Sequence, residues 1–311
     1  MDFILNSLKI RRPEFLPSEI PIVAVPMLLA MTHSSQFYRL EILEGVLLFF
    51  LYFHFGDMIN CLADRDLDAK YKSHLSKAVY AIGVKYVIWQ IVINASLATL
   101  FAVHLAWSLE RWGIFWLYLT ALFFAGEYSC GPLHLKSRGI WQIPCLWAIL
   151  FFLPMTYLAL IVNASPGWEF YVAVAAYGTM QVGIILVNTA EDYLEDKEMN
   201  LYTSTIFFGI PKSMMLANGM FFIGAGTLIA MFCLLFYQSK AAMLAYMVIF
   251  ITAGAWLFIQ YSLWRLYRKV LKADLEQSVL LVKKEAKLVP VWLTGMAWAS
   301  FFCALTLLLQ K

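Results

Sequence analysis

The sequence predicts an all-α integral membrane protein, and three observations support this fold class. Of its 311 residues, 62% are hydrophobic and only 14% are charged, and the mean hydropathy is +0.73. That composition is far too apolar for a water-soluble chain of this length. The apolar residues also fall into runs of about 20, the length a helix needs to cross a bilayer. Because no long polar segment separates the runs, we expect one polytopic membrane domain over residues 1–311.

The positions of the apolar runs predict nine transmembrane helices. The fourth has the weakest signal, and the third is long enough for part of it to lie outside the membrane. The longest polar connection, residues 265–287, mixes basic and acidic residues in a helix-like pattern. The nine predicted spans are residues 17–33, 40–63, 79–108, 112–128, 141–163, 168–191, 212–237, 241–264 and 288–309.

The basic residues of the connections predict how the chain is oriented. With a cytoplasmic N-terminus, eighteen of the 23 Lys and Arg residues lie in cytoplasmic segments, and four lie on the opposite side. Positive charge concentrates on the cytoplasmic side of membrane proteins, so we expect a cytoplasmic N-terminus, cytoplasmic connections after helices 2, 4, 6 and 8, and a C-terminus on the opposite side. The net charge of +3 is small, and the basic residues form no patch with interleaved aromatic residues, so nucleic acid is not an expected partner.

One polar pattern occurs twice, each time at the end of a long apolar run. Residues four apart share a helix face, where like charges repel unless a cation lies between them. Ionisable groups at membrane depth are costly and usually functional. Asn and carboxylate oxygens suit Mg²⁺, which often binds through one or two carboxylates plus substrate phosphates, so the pattern indicates a pyrophosphate substrate. Its two copies are Asn60, Asp64, Asp68 and Asn188, Asp192, Asp196.

The 128-residue offset between the two copies indicates an internal repeat. Helices 1–4 would then be equivalent to helices 5–8, with helix 9 appended. In such an arrangement the two polar patterns converge across a central cavity.

These residues resemble the UbiA-type intramembrane prenyltransferases, whose members pair an NxxxDxxxD motif after helix 2 with a DxxxD motif after helix 6. Arg65 follows Asp64 as in many members, the segment from Tyr128 to Gly139 resembles the family's YSxxPxxLKxRG loop, and Arg12 with Pro13 precedes helix 1. The resemblance covers nearly the whole chain. It implies a bundle of nine helices around a central cavity, with an isoprenyl diphosphate whose head lies at the two motifs and Mg²⁺ as cofactor.

The resemblance also implies roles for individual residues. Breaking an allylic C–O bond leaves negative charge on the diphosphate, which divalent ions and Lys or Arg donors stabilise. Arg binds phosphate oxygens bidentately and Lys acts as a point charge. The expected metal ligands are Asn60, Asp64, Asp68, Asp192 and Asp196. The expected catalytic residues are Asp64, Asp68, Asp192, Asp196 and Lys136. The expected substrate contacts are Asn60, Arg65, Tyr128, Arg138 and Asn188.

Two other polar residues of helix 2 allow two interpretations. His54 and Asp57 lie on nearly the same face as Asn60. They would steer an acceptor or take its proton, or they would only form structural hydrogen bonds within the bundle.

Three functions remain open at this point. We favour transfer of an isoprenyl group to an aromatic or other lipophilic acceptor over a terpene cyclase with the same metal site. A transporter is disfavoured, because the acids lie at helix ends and not at the bilayer midplane. The chain lacks the basic residue before Thr203 and the Arg-Pro after the first motif that many members carry. These departures leave the acceptor open, and the prenyl chain length, the pathway and the oligomeric state stay open as well.

Overall fold

The computed structural model describes residues 2–240 and 242–310, which form helices joined by turns and short loops. Several 3₁₀ turns and one π-helical turn lie between the α-helices. In chain order the α-helices are α1 (Asp2–Lys9), α2 (Leu16–Ala30), α3 (Leu40–Ala63), α4 (Arg65–Tyr71), α5 (Ser73–Ile82), α6 (Val84–Ser108), α7 (Trp112–Ser129), α8 (Gln142–Trp147), α9 (Leu153–Val162), α10 (Trp168–Glu191), α11 (Tyr193–Glu198), α12 (Ser204–Phe208), α13 (Ile210–Gln238), α14 (Met243–Val270), α15 (Leu275–Ala286) and α16 (Val289–Leu309).

Within residues 2–240 and 242–310, eight helical stretches are long and apolar enough to cross a bilayer. One of them, Gly139–Val162, contains α8 and α9 joined by the π-helical turn Ala148–Phe152. The predicted fourth span also forms, as the 18-residue helix α7, which packs against α3, α6 and α9. Its tryptophans and Glu127 keep its mean hydropathy below that of the other eight. The predicted count of nine is therefore consistent with the structure, with one weakly apolar member.

The predicted third span, residues 79–108, is two helices. Gly83 has a φ of +90°, a conformation that glycine adopts easily and other residues rarely do. The chain turns there, so that α5 packs against α1 and α4 and only α6 is long enough to span. Conversely, α14 continues past the predicted end at residue 264, because Leu266 and Val270 are buried by neighbouring helices.

The contact between α10 and α13 is the most extensive between any two described helices. At Gly183 an added Cβ would lie 2.7 Å from the backbone nitrogen of Phe221, and at Gly224 it would overlap the backbone of Met180. Small residues at a membrane helix interface let two backbones approach closely. This contact fixes the position of α10, the helix that carries the second motif.

The two halves of the chain repeat the same local structure. Helices α3 and α10 are each 24 residues long, and each ends at a motif aspartate. Asp64 caps α3 and begins α4 with φ and ψ of −88° and 3°, and Asp192 caps α10 and begins α11 with −84° and 9°. The same bend therefore follows each spanning helix, as the sequence repeat predicts.

Candidate active site

A cavity of about 260 Å³ lies between the ends of α3, α7 and α10. The six Asn and Asp residues of the two motifs all line it. The remainder of the wall includes apolar side chains of α3, α8, the π-helical turn and α10, namely Phe53, Leu146, Ile149, Leu150 and Ile185. A cavity with acids on part of its wall and apolar side chains on the rest suits a ligand with a charged head and an apolar tail.

Side-chain hydrogen bonds connect the first motif to the end of α7 and the loop after it. The Nζ of Lys136 donates a hydrogen bond to the Oδ2 of Asp64, and both side chains are less than one-fifth exposed. Asn60 accepts a hydrogen bond of 3.2 Å from the Oγ of Ser129. Burial and the neighbouring Asp64 raise the pKa of Asp68 to about 6. The first motif therefore combines one acid paired with lysine and one buried acid.

The second motif likewise contains one buried acid and one acid paired with a lysine. Asp196 is buried and accepts a hydrogen bond of 2.8 Å from the Oγ1 of Thr203. Burial raises the pKa of Asp196 to about 6, against the effect of that hydrogen bond. Asp192 forms an ion pair of 3.4 Å with the Nζ of Lys72. Since Lys72 follows the first motif in the chain, this ion pair joins the two halves across the cavity.

Arg65 and Arg138, two of the predicted substrate contacts, lie outside the cavity wall. Arg138 donates hydrogen bonds to the carbonyl oxygens of Leu133 (2.6 Å) and Pro132 (3.2 Å), and so shapes the loop that carries Lys136. Arg65 donates to the carbonyl oxygen of Leu62 (2.7 Å) and pairs with its neighbour Asp66. Each guanidinium uses acceptors close to its own backbone, so these contacts do not favour the phosphate-binding role, which stays a prediction.

Tyr128 and Asn188, like the predicted substrate contact Asn60, do line the cavity. The hydroxyl of Tyr128 accepts a hydrogen bond of 3.1 Å from the Nε2 of Gln142. The Oε1 of Gln142 accepts from the backbone nitrogen and the Oγ of Ser204, each at 2.8 Å. Tyr128 therefore belongs to a hydrogen-bonded chain that connects α7, α8 and α12.

Several cavity residues were not predicted as site residues. Arg12 lines the cavity and has a left-handed backbone conformation, with a φ of 50°. Its guanidinium lies 4.2 Å from the ring centre of Phe15, and its Nε lies 3.0 Å from the carboxylate of Glu14. Its only sequence signal is its place before Pro13 and helix 1. Ser129 lies in the segment that resembles the family's YSxxPxxLKxRG loop, and Thr203 is the Thr that follows the second motif, so both residues carried a sequence signal that the site prediction did not use.

The donor set of the cavity fits a hard divalent cation. Among the residues that the structure describes, no three Asp, Glu, His or Cys side chains cluster closely enough to hold a metal by themselves. Mg²⁺ does not require such a cage, because it commonly binds through one or two carboxylates and completes its shell with water and phosphate oxygens. Lys136 and Lys72 contact Asp64 and Asp192, so positive charge already lies beside one carboxylate of each motif.

The fold and the cavity define a multi-pass α-helical membrane protein with a pocket lined by acids and lysines between two pseudo-equivalent halves. Residues 20–282 match the UbiA prenyltransferase family, and the chain belongs to that family. The predicted family and all-α fold are thereby confirmed.

Solved structures of UbiA homologues have the same fold. A homologue from Archaeoglobus fulgidus bound to GPP and Mg²⁺ shares 18% identity, with a TM-score of 0.62 over 96% of this chain and 99% of that chain. An apo homologue from Aeropyrum pernix K1 shares 16% identity, with a TM-score of 0.63 over 92% of this chain and 98% of that chain. A UbiA homologue from Archaeoglobus fulgidus has also been solved bound to Cd²⁺. No curated protein sequence matches the chain.

Proposed function

We propose that the chain is a Mg²⁺-dependent prenyltransferase that moves an isoprenyl group from its diphosphate to an aromatic or other lipophilic acceptor. One observation carries the proposal. Two NxxxDxxxD faces and two lysines converge on a single cavity whose remaining wall includes five apolar side chains. Homologues of the same fold bind GPP or DMAPP together with Mg²⁺, which supports an isoprenyl diphosphate as the donor.

We assign different roles to the polar and apolar residues of the cavity. Asn60, Asp64 and Asp68 on one side and Asp192 and Asp196 on the other would hold Mg²⁺. When bound, the metal supplies positive charge that stabilises the leaving diphosphate. The lysine ammonium groups that pair with Asp64 and Asp192 would bind the oxygens of a phosphate placed between the motifs. The apolar wall would hold the prenyl chain and keep water from the reacting carbon.

The proposal is tested by incubating the purified protein with GPP and Mg²⁺, with and without a total lipid extract as the source of acceptor. Pyrophosphate release and prenylated products are both followed. We expect release that depends on Mg²⁺ and rises with the extract. We also expect Asp64→Ala and Asp192→Ala to abolish it, whereas Asp66→Ala, an exposed acid outside the cavity wall, leaves it unchanged.

Other outcomes would contradict the proposal in distinguishable ways. Cyclic hydrocarbon or terpene alcohol formed equally well without extract would indicate the cyclase alternative. If no pyrophosphate is released under any condition, both the transferase and the cyclase hypotheses are contradicted, and a transporter is favoured.

A further inference from the structure

Asp57 is a cavity carboxylate that the repeated motif does not explain. It lies on α3, three residues before Asn60, and lines the cavity. Its Oδ2 is enclosed and has no hydrogen-bond partner among the residues that the structure describes. Burying a carboxylate oxygen without a partner is costly, so a structural role in the bundle does not account for it. An unpartnered oxygen in a cavity wall points to a ligand.

The sequence repeat indicates that Asp57 is not part of the repeated metal-binding motif. The offset of 128 residues pairs each Asn or Asp of the first motif with the same residue type in the second. The same offset pairs Asp57 with Ile185, which also lines the cavity. Because the second half has an apolar side chain at this position, the repeated metal-binding pattern does not require a carboxylate there. Asp57 is an acid that only one half of the site provides.

The position of Asp57 along α3 suits contact with an acceptor. It lies seven residues before Asp64, which is about 10 Å along a helix that rises 1.5 Å per residue. A diphosphate held at Asp64 and Asp68 would place the first carbons of its prenyl chain deeper in the cavity, near Asp57. Space is available beside it, because a Cβ added at Gly56 would meet nothing within 4 Å. Charged side chains of α2 and of the segment before it, namely Glu19, Glu14 and Arg12, lie close enough to act electrostatically on Asp57.

We infer that Asp57 is a catalytic residue that binds the protic group of the acceptor. Its carboxylate accepts a hydrogen bond from an O–H or N–H of the acceptor and takes that proton as the acceptor bonds to the prenyl chain. The C1–O bond breaks, the diphosphate leaves with the electron pair, and the acceptor atom forms the new bond to C1. The proton passes to Asp57 and then to water. The inference rests on the proposed function and narrows the acceptor to phenols, alcohols or related protic compounds.

The test compares two acceptor pools and three proteins. GPP and Mg²⁺ are supplied with a total lipid extract, either untreated or with its hydroxyl groups methylated, and the prenylated products are quantified. The parent protein should prenylate the untreated extract and lose most of that activity on the methylated one. Asp57→Asn should lower transfer to the untreated extract by about 100-fold or more, in the range for loss of a general base. Asp57→Glu should restore part of the activity.

Controls separate a catalytic role from damage to the fold or to the donor site. Stabilisation of Asp57→Asn against thermal unfolding by GPP with Mg²⁺ should equal that of the parent, and Asp66→Asn should transfer normally. Equal transfer to the methylated extract by the parent, or transfer by Asp57→Asn within threefold of the parent, would overturn the inference and leave the proposed function intact. If the parent prenylates neither extract, the proposed function fails, and the inference fails with it.

Discussion

The residues that matter most at the site are the two lysines paired with motif aspartates. Lys136 contacts Asp64 from the loop after α7, and Lys72 contacts Asp192 from the segment after α4. In both pairs the lysine and the aspartate come from different parts of the chain. Each lysine therefore occupies a position from which it can neutralise a motif acid or a bound phosphate.

Replacing Lys136 by alanine tests this arrangement. We expect Lys136→Ala to lower kcat/KM for GPP by about 100-fold or more, since a preorganised cation that faces developing negative charge contributes on that scale. Lys240→Ala is the control, because Lys240 lies in the turn after α13, at the opposite end of the helices from the motifs. Equal effects of the two substitutions on kcat/KM would contradict the assignment of Lys136 to the active site.

The raised pKa values of Asp68 and Asp196 predict how stability depends on pH. Burial favours the protonated form of both acids in the folded protein. Their contribution to stability is therefore present below the ordinary carboxyl pKa of 3.8 and is lost as the pH rises to about 6. Without divalent metal, we expect the midpoint of thermal unfolding to fall by a few degrees across this window.

The same titration controls metal binding. A metal must displace the two protons, so stabilisation by Mg²⁺ should grow as the pH rises through about 6. A double variant, Asp68→Asn with Asp196→Asn, should flatten both pH profiles. If the parent without metal becomes more stable between about pH 4 and 6, burial does not govern these two acids.

Gly56 provides a second test of the cavity wall. A Cβ added there meets nothing within 4 Å, so Gly56→Val should project into the cavity without disturbing the backbone. We expect it to lower transfer from GPP at least tenfold while the protein stays folded. Gly254→Val on α14 is a matched control, because that position is equally open but lies outside the cavity wall. Parent-like kinetics for Gly56→Val would mean that the ligand lies elsewhere.

How far the site could be predicted depends on which residues share a helix. Asn60 and Asp64 follow from spacing along one helix, and the structure brings them into one wall. The hydrogen bond from Thr203 to Asp196 comes from a returning loop, and no local pattern encodes that return. Arg138 was predicted from motif resemblance, but the direction of its side chain depends on the carbonyl groups of its own loop.

At the scale of helices, the contact between α10 and α13 holds the second motif in place. An added Cβ at Gly224 would overlap the backbone of Met180, which cannot move aside as a side chain can. We expect Gly224→Val to destabilise the protein by about 1–3 kcal/mol, the usual cost of overpacking. Gly219→Val on the same helix is the control, because a Cβ there meets nothing within 4 Å. Thermal unfolding in detergent measures both, and equal midpoints would contradict the close packing.

Helix boundaries were less predictable than helix positions. Hydropathy locates the spans because the bilayer imposes their length, but it does not detect a break inside an apolar run. The break at Gly83 depends on a positive φ, and α5 turns away because α1 and α4 offer it a surface. The end of α14 depends similarly on tertiary burial of Leu266 and Val270.

At the scale of the whole molecule, both motifs and the basic connections lie at one end of the bundle. Lys283 of α15 pairs with Glu195 beside the second motif, at 3.2 Å. Lys70 pairs with Glu198 across the ends of α4 and α11. The connections predicted to be cytoplasmic therefore meet around the mouth of the cavity. The prediction of a single domain over residues 1–311 is untested by these contacts and stays a prediction.

The orientation of the bundle determines which compartment supplies the donor and the metal. Basic residues concentrate at the motif end, so the positive-inside tendency predicts that this end is cytoplasmic. We expect Lys240→Cys to react with a membrane-impermeant maleimide on intact cells, and Lys272→Cys to react only after permeabilisation. The unsubstituted protein reports the background from its five cysteines, three of which are buried. Because a diphosphate does not cross the bilayer unaided, the reverse labelling pattern would require a donor made outside the cytoplasm.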